Sequence, residues 1–310
     1  MLRRTLMLGT AALALPASLP LRGAAAQAPA QPDVFRTTVG TLQVTVVNDG
    51  LAPRPDVRQN FVTNADAEAV RQLLSAQGLQ PTALQNTFSP TLVRTGRELV
   101  LLDTGRGGQA GRLAANLRAA GVEPAQVTLV LLTHFHGDHI GGLVDGAGAA
   151  IFPNARVLAP ARELAFWTDA GEEARAAANR RPNFALVRRN LGAYGDRVAG
   201  FAPAAELTPG IRALASNGHS PGHTSFILSD GAQQLIVLGD VIGAPELFLP
   251  MPSWYPMADM DAAQGAATRL AMLDRVATDR IPVVAYHWPM PATGRVERAG
   301  TGYRFLPATA

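Results

Sequence analysis

Apolar residues recur along this chain in two rhythms. Alternation over Leu42–Val47 predicts a strand with one face toward a core, ended by the turn Asn48-Asp49-Gly50. Residues 91–94 and 98–103 read as two strands turning at Gly96, and residues 127–133 form a continuous apolar run of the fully buried kind. Strands are expected again at residues 156–158, 211–215, 225–228, 234–238 and 282–285. Helical spacing falls on residues 65–76, on the stretch up to Ala120, around Phe166-Trp167, over 171–200 and over 262–276. A loop at 244–260 carries four prolines with Phe248, Trp254 and Tyr255. Strands followed by helices in each half predict an α/β fold of four layers, an αββα sandwich of two mixed sheets with helices outside. No repeat or low-complexity linker divides residues 29–310, so one domain is expected there.

The first 28 residues read differently. Arg3 and Arg4 precede an apolar stretch from Leu6 to Leu21, and small residues follow at Ala24-Ala25-Ala26-Gln27-Ala28. That order describes a secretory signal peptide, of the twin-arginine or the general type. Pro16 and Pro20 interrupt a stretch already short for a bilayer, so no stable membrane span is expected once the leader is removed. The expected location is periplasmic or secreted. Every basic residue is arginine, and loss of Arg3, Arg4 and Arg22 leaves 24 arginines against 24 acids. A chain with no net charge and no basic patch is a poor partner for nucleic acid. Cysteine is absent, which removes disulfides, thiolate nucleophiles and sulfur ligands together.

Histidine must then supply any metal chemistry, and all six histidines fall in three short segments. His134, His136 and His139 stand with Asp138 in His-Phe-His-Gly-Asp-His; His219 and His223 share Gly-His-Ser-Pro-Gly-His; His287 follows the run at 282–285. Residues two apart in an extended loop point the same way, so His134 and His136 can bind one cation. Gly137 would let the backbone turn Asp138 and His139 toward a second. His223 is expected to complete the first site and His287 the second, with Asp240 bridging both. His219 and Asp103 are assigned supporting roles beside the ligands. Donors of nitrogen and oxygen suit two divalent ions, zinc first, with manganese, iron or cobalt as alternatives.

These residues carry a resemblance. Thr133 to Gly142, the Pro221-Gly222-His223-Thr224 loop, Leu238-Gly239-Asp240 and His287 resemble the metallo-β-lactamase fold superfamily. Asn48-Asp49-Gly50, Leu101 to Gly105, Gly111 to Leu117, Phe152 to Ala155, Phe166-Trp167 and Gly302 to Pro307 are similar to its methyl parathion hydrolase-like group. The resemblance implies a binuclear centre between two sheets, with His134, His136, Asp138, His139, His223, Asp240 and His287 as ligands. It also implies an aromatic leaving-group pocket at Trp167 and Phe184, whose other reading is a place in the core. The loop after Gly105 is short and lacks the group's aromatic, which argues against aryl phosphotriesters; Phe248, Trp254 or Tyr255 could stand in for it.

The resulting expectation is an exported hydrolase. A metal-bridging hydroxide would cleave a small hydrophobic lactone, ester or phosphotriester, with Asp240 and Asp138 as catalytic carboxylates. A small-molecule substrate is the expected partner, and a homodimer is implied by the resemblance. The rival readings are a mononuclear iron oxidoreductase of the same fold and a nuclease of the superfamily.

Overall fold

The structure, a computed structural model, describes residues 33–54, 56–59 and 61–309. The leader expected at residues 1–28 lies outside them. The chain enters with β1 (Val34–Val39) and β2 (Leu42–Val47), then a small hairpin of β3 (Leu51–Pro53) and β4 (Gln85–Thr87) separated by α1 (Ala67–Ala76). It continues with β5 (Thr91–Arg94), β6 (Leu99–Leu102), α2 (Leu113–Ala119), β7 (Leu129–Leu131), α3 (Gly137–Ile140) and β8 (Arg156–Pro160). Three helices, α4 (Ala161–Trp167), α5 (Ala170–Arg175) and α6 (Arg181–Gly192), precede β9 (Val198–Phe201). The second half runs β10 (Glu206–Thr208), β11 (Ile211–Ala215), β12 (Thr224–Asp230), β13 (Gln233–Val237), α7 (Pro245–Phe248), α8 (Ala262–Thr278), β14 (Val283–Val284), β15 (Thr293–Ala299) and β16 (Gly302–Pro307).

Two seven-stranded sheets result, ordered β1-β2-β5-β6-β7-β8-β9 and β10 through β16. Both are mixed: β6, β7, β8 and β9 pair in parallel, as do β13 and β14, while the other neighbours are antiparallel. The continuous apolar runs have a direct cause. In β6 and β7, Val100, Leu102, Leu129 and Leu131 face a core shared with Phe226, Leu228, Ile236 and Val283 of the other sheet. Their alternates Leu99, Leu101 and Val130 face a second core against Leu117, Trp167, Phe184 and Val187 of the helices. A strand buried on both faces has no polar position to spare. The sandwich expected from the pattern is the one observed.

Local chemistry sets the helix starts. Asp66, Asp169 and Asp261 cap α1, α5 and α8 by accepting from the third residue beyond. The stretch 171–200, expected to be helical, divides instead into α5 and α6 and then becomes β9 at the sheet edge. Gly195, at a φ of 51°, lies in the turn before β9.

Helix α2 has no side-chain cap of its own at Arg112. Asp49, fully buried after β2, accepts from the backbone N–H of Arg112 (2.7 Å), Leu113 (2.6 Å) and Arg106 (2.7 Å). One carboxylate thereby fixes both ends of the short loop after Gly105. Burial raises the pKa of Asp49, and these three bonds oppose that shift. Asp49→Ala leaves three inward N–H groups without an acceptor and is expected to cost about 3 kcal/mol in urea unfolding. Asp49→Asn, which keeps one acceptor oxygen, should lose less. A loss below about 0.5 kcal/mol in the alanine variant would mean the loop is held by other contacts.

Candidate metal centre

The candidate ligands lie just beyond the carboxyl ends of β7, β11, β13 and β14; in the second sheet these ends share one edge because β13 and β14 pair in parallel and β11 is antiparallel to β12, which is antiparallel to β13. Two groups form there. His134, His136, His219 and Asp240 make one; Asp138, His139 and His287 make the other, and within each group the candidate ligand atoms lie within 4.8 Å of one another. The carboxylate of Asp240 stands between them. Its Oδ2 lies 3.3 Å from His219 Nε2 and 3.1 Å from His287 Nε2, and its Oδ1 lies 3.2 Å from His139 Nε2.

The outer hydrogen bonds decide which nitrogen each ring turns inward. His139 Nδ1 donates to Asp103 Oδ2 (2.8 Å), His219 Nδ1 to Asp259 Oδ1 (3.0 Å) and His287 Nδ1 to the carbonyl of Thr87 (2.8 Å). Thr133 Oγ1 donates to Asp103 Oδ2 (2.8 Å), so it receives the proton of His134 Nδ1 at 3.0 Å. All four rings therefore turn Nε2 toward the centre. Buried His134 Nε2, His139 Nε2 and Asp240 Oδ1 make no hydrogen bond there. Lone pairs and a carboxylate converging without donors fit a bound cation, since orphaned buried acceptors are otherwise costly.

The electrostatics agree. Burial, then neighbouring imidazoles, hold His134 well below the ordinary histidine value, and burial holds His136 and His223 down to about 3. These rings are neutral, as ligands must be. Burial would also lower His139, but Asp240, Asp103 and Asp138 overcome it and raise that ring well above its usual value. Burial would raise Asp240, yet His287, His139 and His219 pull it well below the carboxylate range. Three carboxylates thus draw positive charge to this point. Tyr286 closes the second group, its ring stacked on His139 at 3.9 Å and its hydroxyl donating to the Asp138 carbonyl at 2.5 Å.

Several expectations need correction. His219, assigned to support, stands in the first group, and His223, assigned as a ligand, does not. The nitrogens of His223 are engaged by the protein: Nδ1 by Ser216 Oγ (2.8 Å) and the Ser216 carbonyl (3.1 Å), Nε2 by the N–H of Asp240 (2.9 Å). Gly239, at a φ of 58°, allows that contact, because a Cβ there would sit 2.7 Å from His223 Nε2. Gly137 is no hinge; it begins the one-turn helix α3, and helical rotation is what turns Asp138 and His139 away from His136. The four aromatics expected to line a pocket are buried in the two cores. Trp167 and Phe184 pack together with ring centroids 4.7 Å apart, Phe248 stacks on Phe61 at 6.2 Å, and Trp254 joins the inter-sheet core. Asp103 does support the site, accepting from His139, from Thr133 Oγ1 and from the Thr133 N–H.

Sequence reading missed four buried charged groups, Arg269, Asp259, Arg54 and Glu163. Arg269 donates to the carbonyls of Val241, Pro252 and Trp254 and to Asp259, which in turn orients His219. Arg54 donates to the carbonyls of Gln85, Gly243 and His287. Glu163 lies beneath the ligand loops with no exposed surface. A charge at an apolar helical position, as at Glu163 four residues before Trp167, was the available signal.

A family profile described as the metallo-beta-lactamase superfamily matches residues 89–287, a span holding every candidate ligand. The chain belongs to that superfamily. A crystal structure of the hydrolase AbOPH, in the beta lactamase superfamily, is similar at 26% identity and a TM-score of 0.83, covering 90% of this chain and 98% of that one. The fold is shared with AidC, a dizinc quorum-quenching lactonase solved with a product, at 23% identity and a TM-score of 0.83 over 89% of this chain and 98% of that one. An atrochrysone carboxyl ACP thioesterase of Aspergillus fumigatus is 32% identical over 122 residues, 39% of this chain and 25% of its own length. The chain spans 30% or less of the length of the curated relatives it matches.

Zinc-saturated His219→Ala is expected to hold one metal ion per chain fewer than the wild type by elemental analysis. His223→Ala should retain the full complement while melting at a lower temperature. The reverse pattern would restore the assignment made from sequence.

Proposed function

We propose that this chain is a two-metal hydrolase that opens lactones or cleaves carboxylic esters of small, apolar molecules. The observation that carries the reading is Asp240, whose one carboxylate touches both groups: Oδ2 lies 3.3 Å from His219 Nε2 and 3.1 Å from His287 Nε2, and Oδ1 lies 3.2 Å from His139 Nε2. Two divalent cations, zinc by the all-nitrogen-and-oxygen donor set, would polarise the scissile carbonyl and make water acidic enough to attack it. His134, His136 and His219 would hold one, Asp138, His139 and His287 the other, and Asp240 both.

The two carboxylates divide the remaining work. Asp240, buried between the two groups, fixes their spacing. The Asp138 side chain is 31% exposed, with Oδ2 3.4 Å from His287 Nε2. It can take a proton from water and deliver it to the leaving oxygen.

The choice of substrate rests on shape and charge. A cleft of about 380 Å³ runs against the loop bearing His219, with Phe166, Pro221 and Met260 among its walls. Neither it nor a larger cleft of about 870 Å³, lined by Thr37, Gln233, Arg280 and Leu306, includes a residue of the histidine groups; of the two, the smaller borders His219, through Gly218 and Ser220. Burial of Trp167 and Phe184, together with the short loop after Gly105, leaves aryl phosphotriesters without the aromatic pocket of the methyl parathion hydrolase-like group, so they rank below lactones and esters. Export rests on the leader pattern at residues 1–28.

A panel of lactones, aryl esters, thioesters, phosphotriesters, β-lactams and RNA, assayed with zinc-loaded protein, tests the reading. Lactone or ester hydrolysis is expected, with kcat/KM lowered at least about 100-fold in Asp240→Ala. Turnover of β-lactams or RNA alone, or undiminished activity in the variant, would contradict it.

A further inference from the structure

Glu163 is a carboxylate with no exposed surface and, among the described residues, no arginine within ion-pair distance; its hydrogen-bond partners are all donors. Its Oε2 accepts from the backbone N–H of Phe135 (3.2 Å) and from Trp167 Nε1 (2.8 Å). Its Oε1 accepts from Ser220 Oγ (2.7 Å) and from the N–H of Gly222 (2.5 Å). Burying an unpaired carboxylate is costly, and four donors are what make it tolerable.

The placement of those donors is specific. Phe135 N–H lies between His134 and His136, on the loop after β7 of the first sheet. Ser220 follows His219 directly, on the loop after β11 of the second sheet. We propose that Glu163 is a positioning residue for the metal centre: its carboxylate ties these loops from opposite sheets together so that His134, His136 and His219 converge on one cation. The proposal rests on reading that group as a metal site. Close packing supports it. A Cβ on Gly222 would sit 2.7 Å from the backbone nitrogen of Glu163, so the loop lies directly against the start of α4. Trp167, one turn further on, pins the carboxylate and sets its ring edge-on to His136, with centroids 6.1 Å apart. With every oxygen lone pair directed at a donor and no path to solvent, Glu163 does not reach substrate.

Glu163→Gln keeps the volume and removes the symmetry. In one orientation its amide NH2 faces the Gly222 N–H; in the other it faces Phe135 N–H and Trp167 Nε1. Either way donors oppose donors. Metal-free wild type and variant are titrated with zinc against a chromophoric chelator, and with cobalt followed by its visible spectrum. The expected result is two ions per wild-type chain, with one site weakened about 10-fold or more in Glu163→Gln, a changed cobalt spectrum for that site, and the second site unaltered. Ser220→Ala, which removes a single donor, should weaken the same site by a smaller factor and serves if the glutamine variant does not fold. A lower melting temperature of the metal-free variant with both affinities and the spectrum unchanged would show a structural role only and overturn the proposal. So would equal weakening of both sites. A wild-type chain that binds no metal would remove the site itself, and this proposal with it.

Discussion

Each of four buried imidazoles donates its Nδ1 proton outward, and the centre of this molecule follows from that. His134 gives it to Thr133, His139 to Asp103, His219 to Asp259 and His287 to the Thr87 carbonyl. What remains inside is a set of Nε2 atoms crowded around Asp240, those of His134 and His139 without a hydrogen bond, an arrangement that positive charge stabilises. The metal centre is therefore defined by its outer partners. His223 also has an outward Nδ1 partner, at Ser216, but its Nε2 accepts from the N–H of Asp240, and that ring is turned to a different use.

The sandwich exists to bring those partners together. The strand ends of one sheet carry Asp103, Thr133 and the first histidine loop; the other carries His219, Asp240 and His287. Neither sheet alone holds a full set for the first group. Close packing between the sheets, through Val100, Leu129, Phe226 and Ile236, sets their separation, and buried polar contacts at the rim then fix it locally. Arg269 with Asp259, Arg54 with three carbonyls, and Asp49 with three amides each anchor a loop next to a ligand. Such groups stabilise only when fully satisfied, so they tolerate few alternative loop conformations.

Much of this was legible in the chain, and the limits have physical reasons. The continuous run before His134 and the alternation at Leu42–Val47 announced strands because burial on two faces or one leaves different patterns. The cluster of His134, His136, Asp138 and His139 announced a site because imidazoles gain nothing from crowding without a cation. The choice between His219 and His223 was not legible. Both stand in one short loop, and the decision depends on Asp259 and Gly239, distant in sequence and brought near only by folding. The aromatics misled for the opposite reason: Trp167 and Phe184 look alike whether they line a pocket or fill a core, and periodicity cannot tell these apart. Glu163 was hidden because its four donors come from three separate segments.

The most direct test of the central claim is anomalous diffraction from crystals of the zinc-loaded protein. Two peaks about 3.5–4 Å apart are predicted on either side of Asp240, with His219 Nε2 at about 2.0–2.1 Å from the one shared with His134 and His136. A single peak, or His223 in the position of His219, would contradict the account.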